Sequence, residues 1–130
     1  MKHSLLIAGL WLVFSRGLAC DLAGSKTIEL ESGIILHYRY VPSPLHVAQH
    51  FSMQFRACQS DQPVALERLK VDALMPSHGH GMNYKTSVQV QPDGTVNASG
   101  LMFHMPGEWQ IKIDLSYNGQ DQRIRIDYLL

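Results

Sequence analysis

The sequence has little cysteine and little charge. Two cysteines in 130 residues exclude a scaffold held by many disulfides and a four-cysteine zinc site. Charged residues make up 17% of the chain, and its 11 basic side chains balance its 11 acidic ones. This balance provides no broad positive surface for a nucleic-acid backbone. We therefore expect no nucleic-acid partner.

Motifs of the common enzyme classes are also missing. No Ser or Cys lies in a recognised nucleophile motif, and no glycine-rich phosphate loop opens a helix. We therefore predict that the protein is not an enzyme. The apolar fraction of 45% is typical of a globular protein, and the length fits one domain.

The only long apolar run stands at the N-terminus and predicts a signal peptide over residues 1–19. Lys2 begins it, the apolar stretch covers residues 5–14, and small residues precede Cys20. The stretch is shorter than the roughly 20 apolar residues that span a bilayer. We expect export to the periplasm, with residues 20–130 as the mature domain. Loss of Lys2 and Arg16 would leave that domain slightly acidic.

Cys20 has two possible fates. Leu18-Ala19-Cys20 resembles a bacterial lipoprotein box, in which Cys20 would carry a lipid and tether the protein to the membrane. Alternatively, Cys20 forms a disulfide with Cys58, the only other cysteine. A lone thiol would be reactive in an oxidising compartment, so the disulfide is favoured. Only lipidation of Cys20 would bring the protein to a membrane.

The remainder of the chain has a period close to two, which predicts strands. Apolar and polar residues alternate in segments of about eight to twelve residues, and turn signals such as Pro92-Asp93-Gly94 and Asn118-Gly119 separate them. We expect a single immunoglobulin-like antiparallel β-sandwich of about seven strands, an all-β fold. The expected strands cover residues 34–41, 47–57, 69–75, 86–90, 96–104, 109–115 and 124–128.

Two short segments carry the residues that suggest metal chemistry. The first is the loop 75–82, which reads Met-Pro-Ser-His-Gly-His-Gly-Met, and the second is 103–107, Phe-His-Met-Pro-Gly. Imidazole binds Cu(II), and thioether sulfur favours Cu(I), so a mixed set suits copper in both oxidation states. Neither segment contains Asp or Glu, which makes a hydrolytic zinc site less favoured. The candidate metal ligands are His78, His80, Met82, His104 and Met105.

A purely structural interpretation of these segments stays open. The first segment is also compatible with a rigid turn whose imidazoles bond to backbone carbonyls, and the methionines with core packing. His104 and Met105 are adjacent, so on a regular strand their side chains face opposite ways. Both can ligate one ion only if the strand ends or bulges there.

The two segments together resemble the YtkA-like domain family, which is related to FixH-type proteins. The resemblance lies in the 75–82 loop and in Gly-Leu-Met-Phe-His-Met-Pro-Gly-Glu-Trp over residues 100–109, and it covers about residues 45–117. It implies an exported or tethered immunoglobulin-like domain. It also implies a setting near copper transport, cation efflux or oxidase assembly, with a partner among envelope proteins. The same resemblance allows Met75, Met105 and Trp109 to be determinants of the fold.

Two functional hypotheses follow. The first is an exported module that binds or delivers copper, with His78, His80 and Met82 as ligands and His104 or Met105 completing the site. The second is a metal-free interaction module for another cell-envelope protein. Convergence of the His78, His80 and His104 rings would favour the first hypothesis.

Overall fold

The computed structural model describes residues 20–130, so the predicted signal peptide lies outside the described residues. Those residues form strands and loops, without a helix that is long and apolar enough to cross a membrane. The ten strands are β1 (Lys26–Glu29), β2 (Ile35–Val41), β3 (His50–Gln59), β4 (Gln62–Pro63), β5 (Arg68–Met75), β6 (His80–Gly81), β7 (Ser87–Val90), β8 (Val96–Met102), β9 (Glu108–Tyr117) and β10 (Gln120–Leu129).

The strands form two antiparallel sheets. One sheet has the order β1-β2-β3-β8-β7, with β4 paired to β3, and the other has the order β10-β9-β5-β6. Consecutive strands β4 and β5 lie in different sheets, as do β6 and β7, and β8 and β9. The chain therefore crosses between layers three times. This confirms the predicted all-β sandwich.

The core lies between the two sheets and is built from the alternation seen in the sequence. The strands β2, β3, β5 and β9 contribute every second side chain to the interior over most of their length, because successive side chains of a strand point to opposite faces. The largest buried side chains come from both layers: Trp109, Phe55, Phe103, Ile34, Leu36, Met53, Met75, Leu101, Ile111, Ile113, Leu115 and Val71.

The structure corrects several predicted strand limits. The prediction placed Val47 and Gln49 on the buried face of a strand, but both are exposed and precede β3. Ala48, with φ of 59°, turns the chain there and donates its N–H to the Phe103 carbonyl. The prediction also put Val90 on an inner face, whereas it is 73% exposed at the end of an edge strand.

The structure contains two further features that the sequence predicts, a hairpin turn and a disulfide. Asn118 and Gly119 have φ of 50° and 71° and join β9 to β10, as a type I′ turn requires. Cys20 and Cys58 are joined by a disulfide, with 6.0 Å between their Cα atoms. This bond holds the start of the described chain against β3, and it is the favoured one of the two fates of Cys20.

Candidate metal site

The first candidate segment is a tight turn between β5 and β6. Met75 ends β5 with its side chain fully buried, and its carbonyl accepts the N–H groups of His78 and Gly79. Gly79 has φ of +65°, which L-residues rarely adopt, and it reverses the chain into β6. His80 then pairs with Met75 across the strands. The turn leaves the side chains of His78 and His80 exposed at one end of the sandwich.

The second candidate segment follows β8. The predicted strand to residue 104 ends earlier, at Met102. His104 and Met105 consequently lie in the connection between the two sheets. They are free of the alternation that would force their side chains apart on a regular strand. The condition under which both residues can face one site is therefore met.

The imidazole of His80 lies between two others. Its ring centroid is 5.6 Å from that of His78 and 5.3 Å from that of His104. A metal bonded to an imidazole nitrogen at about 2 Å lies about 3.2 Å from the ring centroid, so two imidazoles on one ion have centroids about 4.5–6.4 Å apart. Both pairs fall in that range. The structure thus brings the three predicted histidines together as a histidine cluster.

One atom of the histidine cluster has no protein partner. Nδ1 of His104 is buried and lacks a hydrogen-bond partner among residues 20–130. A buried polar atom is ordinarily paired, since leaving it unpaired costs about 1–3 kcal/mol. Metal coordination is one way in which an imidazole nitrogen is satisfied. The atom therefore fits the donor set that a metal needs.

The Trp109 indole packs against two rings of the histidine cluster, those of His80 and His104. Its ring centroid lies 5.3 Å from His104 and 6.4 Å from His80, in both cases with steeply inclined planes. Phe103 stacks on the indole at 4.6 Å, and the indole Nε1–H donates to the Met105 carbonyl at 3.0 Å. Trp109 is fully buried. These contacts hold the connection that carries His104 against a rigid aromatic surface.

The two candidate methionines have a different setting. Met82 and Met105 are both partly buried and pack against the hydrophobic core. Met82 also lines a groove of about 500 Å³ with Tyr84, Lys85 and Val88. The proposed role of these two thioethers as ligands stays a prediction.

The histidine cluster does not form a complete set of metal ligands. Within residues 20–130, no group of three or more His, Cys, Asp and Glu side chains is arranged to hold a metal ion. The suitable spacings are those of the two neighbouring pairs that share His80. A bound ion would therefore be held by one such pair and completed by a thioether or an external donor.

Two groups elsewhere in the sandwich, Tyr40 and Asp114, have shifted pKa values. Burial raises the pKa of Tyr40 well above its usual range, and the neighbouring Tyr38 and Tyr128 add to the effect. On the outer face of the β5–β9–β10 layer, a hydrogen bond from Arg123 lowers the pKa of Asp114. Neither group is among the candidate ligands.

The sequence identified the three histidines as candidate ligands, and the family resemblance allowed Trp109 as a fold determinant. It did not place Trp109 beneath His80 and His104. The Phe103–Trp109 stack joins residues of β9 and of the connection after β8, so strand periodicity carries no signal for it. A possible signal is composition, because Trp109 is the only tryptophan after residue 19.

Comparison with known proteins addresses the fold and the family. A family model described as YtkA-like matches residues 38–114, more than half of the chain and the part that holds both candidate segments. The crystal structure of a DUF4426 family protein from Pseudomonas aeruginosa PAO1 is similar, with a TM-score of 0.62 at 10% identity. The similarity covers 82% of this chain and 94% of that chain, and at this identity it concerns the fold alone. A search of curated proteins finds no sequence match.

Proposed function

The chain belongs to the YtkA-like family, and from that premise we propose that it is an exported β-sandwich that binds copper and passes it on. The observation that carries the proposal is the spacing of the histidine cluster. His80 stands 5.6 Å from His78 and 5.3 Å from His104, distances at which two imidazoles share one ion. The unpaired Nδ1 of His104 supports it.

The exposure of the turn between β5 and β6 supports delivery of copper to a partner more than storage of copper. His78 and His80 are exposed, while His104 is partly buried and backed by Trp109. Where the His80–His104 pair holds the ion, a partner protein can therefore replace the outer imidazole of His80 while the inner imidazole of His104 still holds the ion. The flexible thioethers of Met82 and Met105 would supply soft donors for Cu(I).

The test uses the mature domain, residues 20–130. We expect it to bind Cu(II), and Cu(I) under anaerobic reducing conditions, with Kd below about 1 μM. The double variant His78→Ala/His80→Ala should lose this binding. His46→Ala is the matched control, because His46 is equally exposed but makes no ring contact with the histidine cluster. Binding no tighter than micromolar, or unchanged in the double variant, contradicts the proposal.

A second candidate function is a metal-free interaction module for another envelope protein. The observation in its favour is that the described residues contain no three-ligand group arranged for a metal. Under this alternative the two segments are architectural. The variants His78→Ala and Met105→Ala would then each destabilise the metal-free protein by more than about 2 kcal/mol. Under the copper proposal they would leave it stable and abolish stabilisation by added metal.

A further inference from the structure

Strand β10 stands at the end of its sheet and is much longer than the other strands at sheet ends. It has ten residues, whereas β1, β7 and β6 have four, four and two. Short edge strands, prolines and bulges are means by which proteins prevent an edge from pairing with another chain. β10 contains no proline, and it pairs with β9 without a register shift from Gln120 to Leu129. Its free side is therefore a long, regular edge with which another strand can pair.

The pairing with β9 determines which backbone groups of β10 face the free side. Gly107 and Leu130 exchange two backbone hydrogen bonds, each 3.0 Å long. In an antiparallel ladder, such pairs alternate with pairs whose N–H and C=O groups point away from each other. The even-numbered residues of β10 therefore bond to β9. The odd-numbered residues from Asp121 to Leu129 direct their N–H and C=O groups to the free side.

The inner face of β10 is incompletely covered. Ile124, Ile126 and Tyr128 pack against the core but are only partly buried, whereas the residues opposite them on β9 are fully buried. The difference arises because β9 has a strand on each side and β10 has a strand on one side only. A further strand beside β10 would cover the exposed part of this apolar row.

The outer face of β10 carries a charge without a counterion. Arg125 is exposed and lies opposite Lys112 of β9, and like charges directly opposite each other are destabilising. Among residues 20–130, no carboxylate forms an ion pair with Arg125. Asp127 is exposed on the same face and accepts a hydrogen bond from the Gln110 amide at 3.2 Å. Arg125 and Asp127 are thus opposite charges in one exposed row, separated by a single residue.

We propose that β10 pairs in antiparallel fashion with β10 of a second copy of this chain, with Ile126 on the two-fold axis. In this register Arg125 of each copy lies opposite Asp127 of the other, which gives two complementary charge pairs. On the inner face Ile126 meets its own counterpart, and Ile124 meets Tyr128. The odd-numbered residues 123–129 of the two copies exchange about eight backbone hydrogen bonds. This self-association is independent of copper binding.

Charge selects this register over its alternatives. Since the free backbone groups belong to odd-numbered residues, odd pairs with odd and the two-fold axis passes through a residue. An axis at Arg123, Arg125 or Asp127 places that charge opposite its own copy. An axis at Ile124 places Arg123 opposite Arg125. An axis nearer either end of β10 pairs about half of the strand or less, because the strand begins at residue 120 and the chain ends at residue 130.

Charge reversal tests the proposal on the mature domain, residues 20–130, with a chelator present so that no metal bridges two copies. We expect sedimentation equilibrium to show a wild-type dimer with Kd below about 100 μM. Arg125→Asp and Asp127→Arg should each raise Kd at least tenfold, because like charges then face each other in both pairs. An equimolar mixture of the two variants should dimerise again, since each Asp pair of one variant meets the Arg pair of the other.

The matched control is Lys85→Asp, which makes the same change of net charge at an exposed residue outside β10 and should leave Kd unchanged within about threefold. Unfolding does not explain a loss of dimer in Arg125→Asp, because both reversed side chains are exposed and this variant places an acid opposite Lys112. The mixture gives a second safeguard, since unfolded variants would not associate on mixing.

Engineered cysteines test the register. Opposed residues of an antiparallel pair have Cβ atoms about 4.5–5.5 Å apart, so Ile126→Cys should form a disulfide between two copies under mild oxidation. Ile124→Cys is the matched control on the same face of β10. In the proposed register its two copies are four residues apart along the strands, about 13 Å, which is too far for a disulfide.

Three results overturn the inference. The first is a wild-type domain that is still monomeric at about 300 μM. The second is a dimer that neither charge reversal weakens, or that the mixture does not restore, because another surface then holds the two copies. The third is a disulfide through Ile124→Cys in place of Ile126→Cys, which contradicts the register. A monomeric domain would leave the copper proposal standing, and a domain without copper affinity would leave the dimer standing.

Discussion

A Cβ atom placed on Gly107 would lie 2.8 Å from the Cε atom of the buried Met75. The close approach occurs where the connection after β8 passes the end of β5. Gly107 is held there by two backbone hydrogen bonds with Leu130, each 3.0 Å long. Its φ of +132° is open to glycine and strained for other residues. Met75 therefore acts as a core residue on which the two candidate segments meet.

This contact predicts the effect of Gly107→Ala. The new methyl group would strain the backbone and displace the Met75 side chain, so we expect a loss of about 2–4 kcal/mol in the free energy of unfolding. The control is Gly33→Ala, where φ is +80° but nothing lies within 4 Å of the added atom. Urea unfolding of the two variants separates strain from contact. Equal losses of unfolding free energy in the two variants would show that the Met75 side chain moves aside without an energetic cost.

The contact between Gly107 and Met75 joins distant parts of the chain, and local sequence patterns do not predict such contacts. They do predict most of the strands. Strands β2, β3, β5, β9 and β10 could be anticipated because the exposure of their side chains alternates, which leaves a period of two in the sequence. The sequence also predicts β7 and β8, although Val90 of β7 is exposed and the buried Ala98 and Leu101 of β8 are three residues apart. Strand β1 could not be anticipated, because three of its four residues are exposed and it has no alternation. The start of β3 at His50, three residues later than predicted, depends on a turn at Ala48, a residue without turn preference.

The candidate site could likewise be predicted from the sequence only in part. The proximity of His78 and His80 follows from their spacing of two and from the glycine between them. The approach of His104 depends on the chain crossing between sheets, which juxtaposes residues 24 positions apart. The position of Trp109 depends on packing in the core. Local patterns therefore identified the residues of the histidine cluster, and long-range contacts brought them together.

A second prediction concerns the disulfide. Cys20 and Cys58 are 38 residues apart, so their bond restricts a long segment of the unfolded chain. We expect Cys20→Ser to lower the free energy of unfolding by about 2–4 kcal/mol, the typical effect for a loop of this size. The comparison is thermal unfolding of the oxidised protein and the variant. A thiol titration that finds free Cys58 in the wild-type protein purified without reductant would contradict the disulfide and favour lipidation of Cys20.

A third prediction concerns pH. Arg123 donates two hydrogen bonds to Asp114, at 2.6 and 3.1 Å, and this interaction is the main cause of the lowered pKa of Asp114. A carboxyl whose pKa is lower in the folded state stabilises the protein above its unfolded pKa of about 3.9, and the stabilisation is lost as the pH falls through the folded value.

Asp114→Asn should therefore be less stable than the wild type at pH 7, and the difference should vanish towards pH 2–3. Because both side chains are substantially exposed, the difference should be small and should shrink in high salt. Urea unfolding from pH 2 to 7 at two salt concentrations measures it. A difference that is constant with pH would show that Asp114 acts through packing and not through charge.

The final prediction follows from the unpaired Nδ1 of His104. In the metal-free protein this buried nitrogen has lost its hydration without gaining a partner among the described residues, which costs about 1–3 kcal/mol. His104→Phe replaces the imidazole with an apolar ring beside Trp109 and removes that cost. We expect the metal-free variant to be as stable as the wild type or up to about 2 kcal/mol more stable, and its copper affinity to fall at least tenfold. His50→Phe is the control, because His50 Nδ1 already has the Leu101 carbonyl at 3.3 Å. If His104→Phe is at least as stable as the wild type and binds copper more weakly, the imidazole of His104 serves metal binding. If His104→Phe is less stable and binds copper with unchanged affinity, the role of His104 is architectural.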